Sequence, residues 1–416
     1  MPFPISGRSG RSCDGVVKPG TLYASPNALA PHYNRFRVAE RLLLTGHSHQ
    51  AWPDVGFEAQ QRAWLDAAEC VDEKWERAFA MAERIRRGFA RLLDDPGGAI
   101  ALGTNTHELV VRWLSALPLR QRPRLVTTTG EFHTIRRQLD RLAEEGIEVV
   151  KVPGLPAATL AERLAQTVDE GTAGVLVSAV LYENAHVVPH LGDLLEACGR
   201  VGAELLVDAY HALNVMPFSL RTDRLADAFV VGGGYKYCQL GEGNCFLRVP
   251  EHRALRPVIT GWFSEFGLLS SSVPAGGQVQ YGPGPDRFAG ATYDPTSHYR
   301  AAAVFEFFER QGLTPALLRE VSQHQVRLLT RRFDALDADP QVIGWDRSVP
   351  LQEIGGFLAL RSRQAAELCH RLRERGVLAD HREDFLRLGP APYLSDTQLT
   401  AAMEALGSAI GELAGR

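Results

Sequence analysis

The chain has 416 residues, a formal net charge of −4 and 45% apolar residues. That composition fits a soluble globular protein with a sizeable core, and it gives no electrostatic case for binding nucleic acid or an anionic membrane. No run is long and apolar enough to span a bilayer.

In chain order, the opening MPFPISGRSGRSCDG is polar and glycine-rich and lacks the apolar stretch of a secretory signal, so residues 1–30 are expected to form a flexible arm. Residues 31–65 read as the N-terminal part of a small domain, with Trp52-Pro53 closing an extended segment. A large domain is expected over 66–309. Its apolar runs are 98–102, 124–128, 147–152, 174–180, 204–208, 228–231 and 244–249, with helical patterns between several of them, such as 158–169 and 191–201. Alternating strands and helices predict an α/β fold, three layers deep, around a mainly parallel seven-stranded sheet. Residues 297–336 read as long helices, with Ala303, Phe305 and Phe308, then Leu317, Val321, Val326 and Leu329, spaced for one face. A mixed segment over 342–361 and helices near 363–376 and 396–412 complete a smaller α+β domain over 310–416.

The six cysteines, Cys13, Cys70, Cys198, Cys238, Cys245 and Cys369, are scattered with no C-x-x-C pair. They suggest neither a disulfide framework nor a zinc site, and they point to a reducing cytoplasm. His47 with His49, and His186 with His190, have metal-like spacings, but no cysteine or carboxylate completes either set; no metal is expected.

In open parallel sheets reactive groups gather where the strands end, so the residues after each run matter. Gly103-Thr104-Asn105 precedes a helical pattern, and free backbone N–H groups there would cradle a phosphate, or Thr104 and Asn105 would simply cap the helix. Phe132 follows the next run and could lie flat on a heterocycle or sit in the core. Asp208, with His211 three residues on, could bond a protonated pyridine nitrogen. Gly232-Gly233-Gly234-Tyr235-Lys236 follows the run at 228–231, with glycines that let the backbone approach a ligand. The chain has only four lysines, Lys18, Lys74, Lys151 and Lys236, and lysine, unlike arginine, forms an imine with an aldehyde. A phosphate turn, an aromatic, an Asp and a Lys in that order match the phosphate, ring, ring nitrogen and aldehyde of pyridoxal 5′-phosphate (PLP), held as a Schiff base on Lys236.

From about residue 40 to its C-terminus the chain resembles the class V aminotransferase superfamily of fold-type I PLP-dependent enzymes, and within it the kynureninases. VDAYHALNVMPFSL is similar to the segment with the ring-nitrogen Asp and a nearby His, GGGYKYCQLGEG to that with a phosphate-binding Tyr before the Schiff-base Lys, and GEFHTIRRQL to that with the stacking Phe. LGTNTHELV lies where the family binds phosphate. The resemblance implies cofactor contacts from Thr104, Asn105, Phe132, Asp208, His211, Tyr235 and Lys236, with Lys236, Asp208 and Tyr235 catalytic. ITGWFSEF and RFAGATYDPTSHYRAA resemble segments that reach the cofactor of the neighbouring subunit, here through Trp262 and Thr292, which implies a homodimer with shared active sites. FLRLGPAPYLSD resembles the segment whose Arg holds the substrate carboxylate, here Arg387, with Arg300 and Arg382 in reserve. Gly46-His47-Ser48-His49-Gln50 stands where kynureninases have a Gly-Asn-Ser-Leu-Gly-like run, with Ser48 the substrate-side candidate, and residues 70–94 lack the family's Trp-rich aromatic-pocket segment.

The expected activity is kynureninase-like hydrolytic Cβ–Cγ cleavage of an amino acid. A class V aminotransferase or a PLP-dependent β-lyase is the alternative, with Cys238, two residues past Lys236, read as packed under the loop and not as a desulfuration nucleophile, and a non-catalytic paralogue is the third reading.

Overall fold

The computed structural model describes residues 17–251, 253–269 and 277–414; Cys13 and residues 1–16 of the expected arm lie outside them. The seven apolar runs form seven strands: β1 (Ala99–Gly103), β2 (Arg124–Thr128), β3 (Glu148–Val152), β4 (Thr172–Ser178), β5 (Glu204–Asp208), β6 (Phe229–Gly233) and β7 (Cys245–Val249). They join one sheet in the order β1-β7-β6-β5-β4-β2-β3. Neighbours from β6 to β3 run parallel, whereas β7 is antiparallel to both β1 and β6. The expected mainly parallel sheet is thus what forms.

The strands read as near-continuous apolar runs because both faces are covered. Leu125, Leu206 and Phe229 pack on one side with Leu109, Trp113, Ile135 and Leu139 from the helices Thr106–Ala116 and His133–Glu144. Their neighbours Val126, Leu205, Val207 and Val230 pack on the other side with Leu160 and Leu164, and with Leu194 and Cys198 of the helix Leu191–Val201. Truncating one such side chain, as in Leu206→Ala, costs about 2–5 kcal/mol. The direction of β7 follows from its connection. Residues 234–244 form a tight loop, with Gly234 N donating to Asn244 O and Leu240 N to Gly234 O, and no helix carries the chain back across the sheet.

Beyond the large sheet, strands Asp380–Arg382, Phe385–Leu388 and Leu358–Arg361 form an antiparallel sheet in that order. The helices Pro315–Asp334, Ala365–Glu374 and Asp396–Ala414 belong to the same part of the chain. The N-terminal segment docks here: Leu42–Leu43 pairs in parallel with Val377–Leu378, and Thr45 bridges Gly389. Residues 17–30 are not the loose arm expected. Leu22 and Leu29 are fully buried, and the Asn27 amide donates to Leu22 O and Pro392 O. The expected limits at 65/66 and 309/310 also move, because they fall inside the helices Val55–Cys70 and Thr296–Gln311, which pack on each other. Among the described residues no helix is long and apolar enough to cross a membrane.

Candidate active site

Parallel strands point their carboxyl ends at one edge of the sheet, and here that edge surrounds a cavity of about 260 Å³. Asp208 ends β5 and Lys236 follows β6 by three residues; both side chains line the cavity. Tyr210 N donates to Asp208 Oδ1 at 2.8 Å, which fixes the carboxylate against the turn. Burial raises the Asp208 pKa, and the Tyr210 N–H and the Lys236 charge oppose that rise.

Lys236 is 6% exposed, with Nζ 2.6 Å from His211 Nε2. It stands 4.9 Å from the ring centre of Tyr210, 5.3 Å from Phe132 and 5.8 Å from Tyr235. Burial lowers its pKa; Asp208 opposes the shift and Arg387 adds to it. A lysine so placed sheds its proton more readily than a surface lysine and becomes a nucleophile. His211 is held neutral by burial first, then by the charges of Lys236 and Arg387. Its Nδ1 has no protein partner among the described residues.

The helix Thr106–Ala116 begins at the cavity, and Asn105 is its N-cap, accepting from Glu108 N. Thr104 Oγ1 and Asn105 Nδ2 both donate to Glu108 Oε1, so Asn105 is the cap, while Thr104 bonds the Glu108 side chain instead of a helix N–H. The first backbone N–H groups, of Thr106 and His107, have no partner within a helix and face the region of positive dipole. Both residues line the cavity. Phe132 lines it too, at the N-cap of the helix His133–Glu144. Its neighbour Glu131 is buried and accepts from Thr128 Oγ1 at 2.9 Å and from Ser178 N and Oγ at 3.1 and 2.6 Å. Burial pushes this carboxyl up to about 7 against those bonds, and the nearby Asp208 pushes the same way.

The glycine run before Lys236 has a different cause from the ligand approach expected of it. A Cβ on Gly232 would lie 2.9 Å from Leu213, on Gly233 2.4 Å from the Tyr210 hydroxyl, and on Gly234 2.7 Å from Leu240. The space the glycines leave is filled by protein, and it lets Tyr210 sit under the cavity. Tyr235 stacks on His49, with centroids 4.8 Å apart at 19°, and burial pushes its phenol up to about 12.

Other sequence candidates lie farther out. Arg387 is buried, donates from Nε and Nη2 to the two oxygens of Asp380 and from Nη1 to Tyr182 O. Arg300 donates to Leu240 O and Glu242 O and lies over Trp52, so it secures the loop after Lys236. Arg382 donates to His381 O. Ser48 Oγ meets His49 Nδ1 at 3.1 Å and does not line the Lys236 cavity. Trp262 Nε1 donates to Thr292 Oγ1, but neither residue lines that cavity; Thr292 lines a second one of about 810 Å³, which shares Thr104 with the first. Cys238 is buried and burial holds its thiol protonated.

The residues present fit PLP. An amine, a carboxylate whose Oδ2 has no described hydrogen bond, a histidine nitrogen without a partner, aromatic rings and a helix N-terminus meet at one cavity. Thr106, Ser178, Tyr182, Tyr210 and Cys245 line the same cavity without having been singled out in the sequence. For Thr106 the signal existed, since it is the first residue after the cap. Cys245 arrives only because β7 is antiparallel and opposes Gly233 and Gly103 at that edge.

Comparison with known proteins places the chain beside kynureninases and related PLP-dependent enzymes. A Kynureninase C-terminal domain family profile matches residues 318–406. The chain is 25% identical over 395 residues to the kynureninase of Bacillus thuringiensis subsp. konkukian (strain 97-27), covering 90% of this chain and 84% of that protein. It is 22% identical over 344 residues to the uncharacterized aminotransferase YcbU of Bacillus subtilis (strain 168), covering 80% and 85%. Among solved structures, a C-DES mutant with glycine covalently linked to its PLP cofactor superposes with a TM-score of 0.78 at 16% identity, covering 91% of this chain and 98% of that one. The apo cysteine desulfurase of Thermococcus onnurineus NA1 gives 0.74 at 17% identity, covering 90% and 95%. At such identities the structural likeness shows the fold.

Proposed function

We propose that this chain, a kynureninase-like member of the class V aminotransferase superfamily, is a PLP-dependent enzyme that cleaves the Cβ–Cγ bond of an amino acid by hydrolysis. The observation that carries the reading is the convergence of Lys236, Asp208, Phe132 and the start of the helix Thr106–Ala116 on one cavity, in a chain similar to kynureninases over nine-tenths of its length.

Lys236 Nζ would hold the cofactor covalently, with Asp208 placed to pair with a protonated ring nitrogen and Phe132 placed against the ring. Thr104, Asn105 and Tyr235 would hold its phosphate at the helix start, and His211 would support the lysine and ring side. Bound PLP supplies an electron sink for charge developing at the substrate Cα. Lys236, kept short of its proton by burial, removes and returns the Cα proton. The Arg387 guanidinium orients the substrate through its carboxylate, and Ser48 borders the substrate side. Lys236 is nearly buried in the cavity wall, which limits its contact with bulk water.

The working unit in this reading is a homodimer in which Trp262 and Thr292 reach the partner's cofactor. Exposed Val258, Ile259, Trp262, Phe266 and Leu269 form an apolar belt near the larger cavity and support it. The described cysteines are all free, which supports a cytoplasmic site of action. Transamination or β-elimination is the second reading, favoured by the relative named as an aminotransferase. Desulfuration through a protein thiolate is disfavoured, because burial keeps Cys238 protonated and pushes Cys245 up to about 12.

The test is to incubate the cofactor-loaded enzyme with kynurenine, 3-hydroxykynurenine and a panel of amino acids, with and without a keto-acid acceptor. Alanine release without an acceptor is the expected result. Turnover that requires the keto acid, with stoichiometric amino transfer, overturns cleavage in favour of transamination.

A further inference from the structure

We infer that His47 and Asp380 form a positioning pair that sets the orientation of Arg387, so that a residue of the N-terminal segment governs recognition of the substrate carboxylate. The inference rests on the reading of Arg387 as the carboxylate-binding residue.

The geometry starts at Asp380. Its side chain is half-buried between His47 and Arg387, which use both oxygens, with Arg382 Nη1 farther off at 3.9 Å from Oδ2. His47 Nε2 stands 2.8 Å from Oδ1, Arg387 Nε 2.9 Å from Oδ1 and Arg387 Nη2 2.6 Å from Oδ2. These bonds and the Arg387 charge overcome the effect of burial and keep the carboxylate ionised. An ionised carboxylate only accepts, so His47 donates from Nε2. Its ring is neutral, since burial pushes it down to about 4.

The same bonds count out the arginine. A guanidinium has five N–H donors. Asp380 takes one from Nε and one from Nη2, and Tyr182 O takes one from Nη1 at 2.6 Å. One donor remains on each terminal nitrogen. A carboxylate is matched by two such donors, provided the fork is held in plane. Asp380 therefore does not consume the arginine; it clamps one edge, and two N–H groups of the buried guanidinium are left without an acceptor among the described residues. Register places the pair directly opposite each other, Asp380 against Arg387 across the hairpin.

His47 is what anchors the clamp. The residue is fully buried, its ring is 4.6 Å from that of Phe357, and a Cβ on Gly389 would lie 2.2 Å from its Nδ1. Gly46 N donates to Gly389 O at 2.7 Å, so the loop bearing His47 is fastened to the residues just after Arg387. A ring confined on both sides has one direction for its donor, toward Asp380. His47 also stands where the resembling family has an asparagine, so this contact is a feature of the rewritten substrate side.

The experiment uses the cofactor-loaded protein and calorimetric titration with L-alanine and with L-alaninamide, which lacks the carboxylate. KM and kcat are measured for the best amino acid of the panel. His47→Leu removes the donor and should weaken L-alanine binding about tenfold while alaninamide binding and cofactor content stay unchanged. His47→Gln, which restores an N–H at similar reach, should stay within about twofold of wild type. Asp380→Asn, nearly isosteric, should behave like His47→Leu and carries the test if the leucine variant does not fold. The loss should appear in KM and leave kcat nearly unchanged. Equal weakening of alanine and alaninamide, or no weakening, overturns the inference, as does tighter alanine binding in Asp380→Asn, which would make Asp380 a competitor for the arginine. Arg387→Lys separates the two claims. If it leaves alanine binding intact, the carboxylate reading of Arg387 fails and the inference falls with it. If it weakens alanine while His47→Leu and Asp380→Asn do not, only the positioning pair is wrong.

Discussion

The two ends of the site are built differently. The proposed cofactor end is made from strand tips: Asp208 ends one strand, and Thr104, Phe132 and Lys236 each follow another, in one mainly parallel sheet. The proposed substrate end is made by docking, with His47 from the N-terminal segment and Asp380 and Arg387 from a C-terminal hairpin. Rigid strand ends hold a demanding cofactor geometry, whereas docked segments change by local substitution without disturbing the sheet. That contrast explains how the chain keeps the cofactor side of its resemblance while its substrate side departs from it.

The largest effect should come from the cofactor end. Lys236→Ala is expected to lower turnover at least ~10⁴-fold, and borohydride reduction should no longer attach the cofactor to the protein. Mass spectrometry of reduced wild type locates the adduct; finding it on a residue other than Lys236 would break the comparison at its base. Asp208→Asn should retain the cofactor and slow turnover roughly 10²–10³-fold, because a neutral ring is a poorer electron sink. Unimpaired turnover in that variant would remove Asp208 from its role.

Glu131 sharpens the contrast through stability. Its carboxyl is pushed from 4.5 to about 7 on folding by burial. A raised folded pKa gives stability that is full below the unfolded value and is lost as pH rises through the folded one. Wild type should therefore lose on the order of 3 kcal/mol from this group between about pH 4.5 and pH 7. Glu131→Gln, which cannot ionise, should show a flatter pH dependence in chemical unfolding of the cofactor-loaded protein. An identical pH slope in both proteins would show that Glu131 is ionised throughout.

The smallest expected signal concerns the partner. Lys236→Ala and Thr292→Ala are each expected to be inactive or nearly so. Mixing and exchanging their subunits should restore up to about a quarter of wild-type activity, since half the dimers are hybrid and one site in each is intact. Confirmed exchange with no recovery would confine the site to a single chain.

The sequence by itself determined the sheet, because strands buried on both faces leave uninterrupted apolar runs, and the runs that become β1, β2, β5 and β6 end in or are followed by Thr104, Phe132, Asp208 and Lys236, which line the cavity. It also brought out Lys236, since lysine is rare in this chain. Only the tertiary structure decided that β7 reverses and brings Cys245 to the cavity, and that residues 17–30 pack into the core. The Asp380–Arg387 hairpin was hidden for a local reason: its turn is Glu383-Asp384, with Glu383 at φ 47°, in place of the glycine or asparagine that marks such turns. The His47–Asp380 bond joins residues 333 positions apart. No periodicity or spacing records a contact of that range; it exists because the Gly46 and Gly389 backbones close on each other and leave the imidazole a single place to go.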